Sequence, residues 1–162
     1  MHKVLLSTMA AVIVGHLSAC SIPSDSPREP KAQAAPAPIE KPRDETRRFP
    51  SQGRVSVEIV DNHVMSKDFL PGGNVAQYND NGKQWRQFLV QVDSPTSAAL
   101  LLNEYRGAME GAKYLAHMGG YFGKDGAEDV LVMQKGRWLM GIAGLPEKEA
   151  DMLARGFAAR LD

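Results

Sequence analysis

Seven prolines fall between Ser21 and Pro50: Pro23, Pro27, Pro30, Pro36, Pro38, Pro42 and Pro50. Between them lie alanine, serine and mixed charges, with almost no large apolar side chain. Such a stretch cannot bury enough surface to offset the entropy of ordering it, and it reads as a disordered, locally extended tether over 20–50. Proline-rich chain advances about 3.1 Å per residue, so the tether reaches at most roughly 90 Å. Three of its basic residues, Arg43, Arg47 and Arg48, are interleaved with Glu40, Asp44 and Glu45. That alternation points to a solvated linker over a patch for anionic headgroups or wall polymers. Any fold must then be built from 51–162 alone.

That remainder suffices for one domain, because a domain of about 110 residues buries roughly 65% of its unfolded surface and needs no covalent staple. The composition, 43% hydrophobic, is that of a globular chain. Lys+Arg and Asp+Glu both total 19. A chain with no excess of basic residues cannot displace counterions from a polyanion, so nucleic acid is excluded as a bulk partner. Cys20 is the single cysteine, which leaves no internal disulfide.

Ahead of the tether, Met1-His2-Lys3 gives a short positive start and Val4 to Leu17 an apolar run. The run matches the roughly 7–15 residues of a signal peptide core and falls short of the roughly 20 that span a bilayer. Residues 1–19 therefore read as an export signal. Leu17-Ser18-Ala19-Cys20 resembles the lipobox of bacterial lipoproteins. The resemblance implies that the Cys20 sulfur takes a diacylglyceryl group, that cleavage falls before it, and that the new N-terminus is acylated too. Cysteine suits the chemistry because its thiolate is the strongest side-chain nucleophile near neutral pH. More than one acyl chain is needed because a single chain binds a membrane only marginally. Ser21 follows the cysteine where aspartate would favour inner-membrane retention, so the resemblance leans to the outer membrane, facing the periplasm.

Along the domain, Arg54 to Val60 alternates apolar and polar as a half-buried strand does. Phe69-Leu70-Pro71-Gly72-Gly73 reads as a turn, Val75 to Tyr78 as a short strand, and Asn79-Asp80-Asn81-Gly82 as a hairpin turn. Trp85 to Val92 puts Phe88, Val90 and Val92 on one face. Ser94-Pro95 opens a helix, with serine as N-cap and proline in the first turn. Its stripe runs through Ala98, Leu101, Leu102, Tyr105, Ala108 and Met109. Gly119 to Gly126 reads as a loop with a short strand at Tyr121-Phe122. Val130 to Gln134 and Arg137 to Ala143 read as a hairpin, and Pro146-Glu147 as the start of a last helix with stripe Ala150, Leu153, Ala154, Phe157 and Leu161. The expected fold is α+β: an antiparallel sheet of about five strands with two amphipathic helices on one face.

Candidate chemistry is sparse. The glycines of 119–126 run into a strand and not into a helix N-terminus, so they read as turn residues and not as a phosphate cradle. His63, Met65, His117 and Met118 are soft ligands, but the two pairs lie far apart without a repeated ligand spacing. Asp125, Glu128 and Asp129 cluster in one exposed loop. No Gly-x-Ser-x-Gly elbow is present, and Asn79-Asp80-Asn81-Gly82 lacks the spaced acids and terminal glutamate of a calcium loop. No cofactor motif is present. Trp85, Tyr121 and Phe122 are the aromatic candidates for a partner surface.

Leu70-Pro71-Gly72-Gly73-Asn74, Gly119-Gly120-Tyr121-Phe122-Gly123 and Gly144-Leu145-Pro146 resemble stretches of an uncharacterised family of bacterial exported proteins, a domain of unknown function. The resemblance spans 69–161 and brings no catalytic residue with it. The expected protein is a lipid-anchored envelope lipoprotein with a small binding or scaffolding domain, its partner an envelope protein or the cell wall. The alternatives are a ligand or metal carrier through His63 or His117, and an envelope enzyme through the acidic loop.

Overall fold

The structure, a computed structural model, describes residues 41–161. The export signal, Cys20 and the tether up to residue 40 lie outside the described residues. In chain order the elements are β1 (Arg54–Asn62), β2 (Pro71–Asp80), β3 (Lys83–Gln91), α1 (Pro95–Ala108), β4 (Glu110–Leu115), β5 (Gly120–Asp125), β6 (Glu128–Lys135), β7 (Trp138–Ala143) and α2 (Glu147–Ala158). Short 3-10 turns occupy Thr46–Arg48 and Val64–Ser66.

All seven strands join one antiparallel sheet in the order β1-β2-β3-β7-β6-β5-β4. Two meanders, β1-β2-β3 and β4-β5-β6-β7, meet where β3 pairs with β7. The expectation of about five strands is corrected to seven: β4 is an edge strand with only Leu115 buried among its six residues, and glycines mask the full extent of β2 and β5. Gly73, read as part of a turn, sits inside β2, where a Cβ would lie 2.5 Å from the Leu89 carbonyl oxygen. Gly120, read as a loop residue, opens β5, where a Cβ would lie 2.6 Å from the Val132 carbonyl oxygen. Both glycines permit close backbone approach within the sheet. The true hairpin turn is Asn81-Gly82, both at positive φ (51° and 84°), as a two-residue connection of this hand requires.

The helices lie on opposite faces of the sheet, not on one. Leu102, Tyr105 and Met109 pack with Phe88, Val90, Val130, Val132 and Leu139 on the α1 face. Ala150, Ala154 and Phe157 pack with Leu89, Leu131, Met140 and Ile142 on the α2 face. Every residue of β7 is buried, as are Val130 to Met133 of β6. Strands apolar on both sides need cover on both sides, so one helix goes to each. Ser94 caps α1 as its position predicts, its Oγ accepting from the Ser97 N–H at 3.0 Å.

Residues 43–50, expected to belong to the tether, are part of the fold. From Arg43 to Pro50 the chain is strapped across the α2 face of β2. The side-chain oxygen of buried Asn74 accepts from the Glu45 N–H at 3.0 Å, and its amide donates to the Arg43 carbonyl at 2.9 Å. Phe49 enters the core beside Phe157, ring centroids 5.0 Å apart. Tyr78 donates its hydroxyl to the Pro50 carbonyl at 2.9 Å, and the Arg54 guanidinium donates to the Thr46 and Phe49 carbonyls at 2.9 and 3.0 Å. Arg48 donates to the Arg160 carbonyl at 2.7 Å and lies 4.8 Å above the Trp138 ring. Buried Phe49 and Asn74, with the hydrogen bonds of Tyr78, Arg54 and Arg48, dock eight residues whose average composition is that of a linker.

Candidate functional site

The β2–β3 turn and the first turns of α2 bound a groove of about 380 Å³, lined by Asp80, Asn81, Lys83, Trp85, Leu145, Glu149, Met152 and Leu153. Each wall has a local cause. The tight Asn81-Gly82 turn carries Asp80 and Lys83 at the ends of two paired strands. Trp85 stands on the α2 face of β3, stacked on its cross-strand neighbour Tyr78 with centroids 5.0 Å apart and planes within 6°. Pro146 ends the loop before α2, so Glu149 and Met152 project from the helix's first turns toward the hairpin. Lys83 bridges the rim to both oxygens of Glu149 at 2.7 and 2.9 Å. Glu147 and Glu149 in that first turn complement the positive end of the helix dipole.

Two buried polar atoms on the α2 face lack a partner, one on groove-lining Trp85 and one on Gln87 outside the groove's lining. Among the described residues, the buried side-chain nitrogens and oxygens without a hydrogen-bond partner are Trp85 Nε1 and Gln87 Oε1. They belong to positions two apart on one strand, hence on one face, about 7 Å from each other along the backbone. One is a donor and the other an acceptor. A buried polar atom left alone costs about 1–3 kcal/mol, and such orphans are rare in folded proteins.

The other candidates do not converge. Tyr121 and Phe122 are neighbours on β5 and so face opposite ways, Tyr121 packing with the α1-face core and Phe122 with the α2-face core. Phe122 shares its face with Trp85, but β6 and β7 lie between their strands, a separation of about 14 Å at the usual strand spacing. A single surface from Trp85, Tyr121 and Phe122 is therefore not formed. Tyr121 instead meets Tyr114 at 5.3 Å and Arg106 at 5.6 Å.

His63 and His117 are likewise held apart. His63 sits at φ 57° before the Val64–Ser66 turn, with Nδ1 3.9 Å from Asp68. His117 Nε2 lies 2.5 Å from Asp151 Oδ1, and that carboxylate also pairs with Arg155 at 2.9 Å. Met65 packs with the α1-face core and Met118 with the α2-face core. Among the described residues, no three histidine, cysteine or acidic side chains are grouped as metal ligands.

The acidic loop is the hairpin β5–β6, and each acid has its own cation. Glu128 pairs with Arg86, Asp129 with Lys124 at 2.7 Å, and Asp125 with Lys67 at 2.5 Å. Asp125 also accepts from the buried Tyr105 hydroxyl at 3.0 Å. Burial, with the Asp125 charge adding to it, holds the Tyr105 hydroxyl far above the ordinary phenol range. Sequence reasoning missed this Lys67–Asp125–Tyr105 link, because Tyr105 reads only as one more apolar position of the α1 stripe.

Fold and groove together define the class: an α+β domain with a seven-stranded antiparallel sheet, one helix on each face, and an open groove at one end of α2. No known family, curated protein or solved structure matches the chain.

Proposed function

We propose that this protein is a lipid-anchored envelope protein, acylated at Cys20, whose folded domain is a binding module for a secondary amide presented by the cell wall or by an envelope protein. The observation that carries the reading is the unmatched pair Trp85 Nε1 and Gln87 Oε1, of which Trp85 lines a groove of about 380 Å³ and Gln87 is buried two residues further along the same strand, the groove's volume lying within the usual range of ligand sites. A secondary amide supplies one acceptor for the indole N–H and one donor for the glutamine oxygen. Trp85, Leu145 and Leu153 offer apolar wall to the carbon skeleton, and Asp80, Asn81, Lys83 and Glu149 offer donors and acceptors to hydroxyls or further amides. No proton transfer or covalent step is required of these groups.

The test is an NMR titration of the full chain, following the indole N–H of Trp85 and the side-chain amide of Gln87. The probes are an N-acetylglucosamine dimer and cellobiose, which has the same ring scaffold without the amide. Both resonances are expected to move with the first probe and not with the second. Equal shifts with both, or none with either, would remove the amide reading. The anchor is tested apart from this by Cys20→Ser, which is expected to move the chain out of the membrane fraction. If that variant stays with the membrane, the lipoprotein assignment is wrong while the groove reading still stands.

A further inference from the structure

The strap reaches the groove through one side chain. Its contacts follow β2 in order: Pro42 against Gly72, Arg43 and Glu45 on Asn74, and Pro50 on Tyr78. Gly72, Asn74 and Tyr78 are an even number of residues apart, so they share one face of the strand. At the last contact the Tyr78 hydroxyl donates to the Pro50 carbonyl at 2.9 Å. The ring of the same tyrosine lies flat on Trp85, which lines the groove. The chain leaving the strap closes on that indole as well. Gly53, at φ 70°, offers its carbonyl to the Asn79 N–H at 2.8 Å, and a Cβ placed on it would lie 3.7 Å from the Trp85 ring. Arg54 ties this turn back to the strap through the Thr46 and Phe49 carbonyls.

We infer that the strap is a positive regulator of the groove: docking of residues 43–50 fixes Tyr78, Tyr78 fixes the indole of Trp85, and the docked strap and an occupied groove favour one another. Tyr78 is a positioning residue, holding the strap with its hydroxyl and the groove wall with its ring. No strap residue is among those lining the groove, so the strap acts on it only through this link and the turn at Gly53. The strap is also the element able to move alone. Residues 43–50 take part in no strand pairing, and side chains of β1 and β2 and one buried ring hold them down. A segment held in that way opens at lower free energy than the sheet beneath it. Coupling of this kind is reciprocal, so a ligand that uses the ordered wall holds the strap down by the same factor. The regulation of binding rests on the amide reading of the groove, whereas the positioning of Trp85 does not.

The experiment follows the Trp85 indole N–H by NMR in the full chain, the resonance being assigned by its loss in Trp85→Phe. Asn74→Ala is the remote probe, loosening the strap about 13 Å along β2 from Tyr78. With no ligand added, the resonance is expected to move or broaden in Asn74→Ala, together with faster trypsin cleavage at Arg47 and Arg48. Leu102→Ala weakens the α1 face instead and is expected to leave the resonance in place. In a Tyr78→Phe background the ring remains but the Pro50 bond is lost, and Asn74→Ala is expected to have a smaller effect. Phe49→Ala serves as a second opener, with the same expected results, should trypsin find the strap of Asn74→Ala still closed. An unmoved resonance with the strap open, an equal shift in Leu102→Ala, or an undiminished effect in the Tyr78→Phe background would each overturn the inference.

Adding the N-acetylglucosamine dimer separates this inference from the amide reading. The dimer is expected to bind Asn74→Ala about threefold or more weakly than the wild type, because apparent affinity falls with the fraction of chains in the competent state. It is also expected to slow trypsin cleavage of the wild-type strap. Equal affinity with the strap open would end the regulation and leave the amide reading intact. No binding to either chain would end the amide reading, and the positioning of Trp85 is then decided by the ligand-free spectra.

Discussion

On the α1 face of the sheet the buried polar side chain that enters the core is answered, whereas on the α2 face two are not. Tyr105 projects from α1 onto the sheet, stacked on Phe88 at 5.7 Å and edge-on to Phe69 at 5.9 Å, and Asp125 accepts a hydrogen bond from its hydroxyl. Lys67 then closes the ring from the loop before β2. The α2 face is covered by a helix, a strap of backbone and a groove, and it holds Trp85 Nε1 and Gln87 Oε1 without partners. One face is finished for stability. The other carries slack polar capacity of the kind a ligand fills, and for that reason the binding reading is placed there.

The largest effects come from emptying either face. Tyr105→Ala and Phe49→Ala each remove a fully covered ring, at about 3–5 kcal/mol of unfolding free energy by denaturant titration. The two losses should differ in kind. Tyr105 is held between a helix and the sheet, so its loss lowers global stability. Phe49 is the only apolar pin of the strap, so its loss should also open Arg47 and Arg48 to trypsin below the melting transition. If Phe49→Ala resists trypsin as the wild type does, the strap is not held by that ring.

Next in size is Asn74→Ala, which strips two hydrogen bonds from the strap and leaves the Glu45 N–H and Arg43 carbonyl to find other partners. A loss of about 1–3 kcal/mol is expected, with the trypsin sensitivity of Phe49→Ala in milder form. A change within error would mean that water replaces the amide without cost.

Much of the fold was legible in local pattern. Ser94-Pro95 marks the start of α1 because cap and proline act within one turn. Phe88, Val90 and Val92 share one face, and Trp138, Met140 and Ile142 share the other, because the strand period admits no second solution. Glycine misled where its role was steric and not conformational, at Gly73 and Gly120. The helix placement needed a different cue: Val130-Leu131-Val132-Met133 is apolar at every position, which already signals a strand covered on both sides. The strap was not legible, because docking depends on Asn74 and Tyr78, about thirty residues away. The groove was legible only as Trp85, since its other wall comes from α2.

Alkaline titration sharpens the contrast between faces at about 1.4 kcal/mol per pH unit for each tyrosine involved. Burial pushes the Tyr78 hydroxyl from 10.0 up to about 12, and it pushes Tyr105 further in the same direction. Both groups ionise more readily unfolded than folded. Their contribution is therefore intact below about pH 10 and falls as pH rises above it. The Tyr78 part levels off near pH 12, while the Tyr105 part is still falling there. Melting curves between pH 8 and 12 should therefore be flatter for Tyr105→Phe than for Tyr78→Phe at the upper end. Parallel curves would mean that the two faces bury their phenols equally.

The smallest effect falls at the groove's rim. Lys83 and Glu149 are both about half exposed, at 51% and 43%, and such a pair contributes about 0–1 kcal/mol. Lys83→Ala should leave the melting temperature nearly unchanged. Its electrostatic effect is more telling. Removing the Lys83 ammonium takes a positive charge from beside Glu149 in the first turn of α2. With Asp80 opposite it, the groove then gains net negative charge. Iodide should quench Trp85 fluorescence less in the variant and caesium more, each by less than about twofold because salt screens beyond about 8 Å. Trp138, at 2% exposure, is nearly closed to both quenchers and provides a constant background. Opposite shifts for the two ions would tie Trp85 to the charge at this rim, while a shared shift would point to a change in access alone.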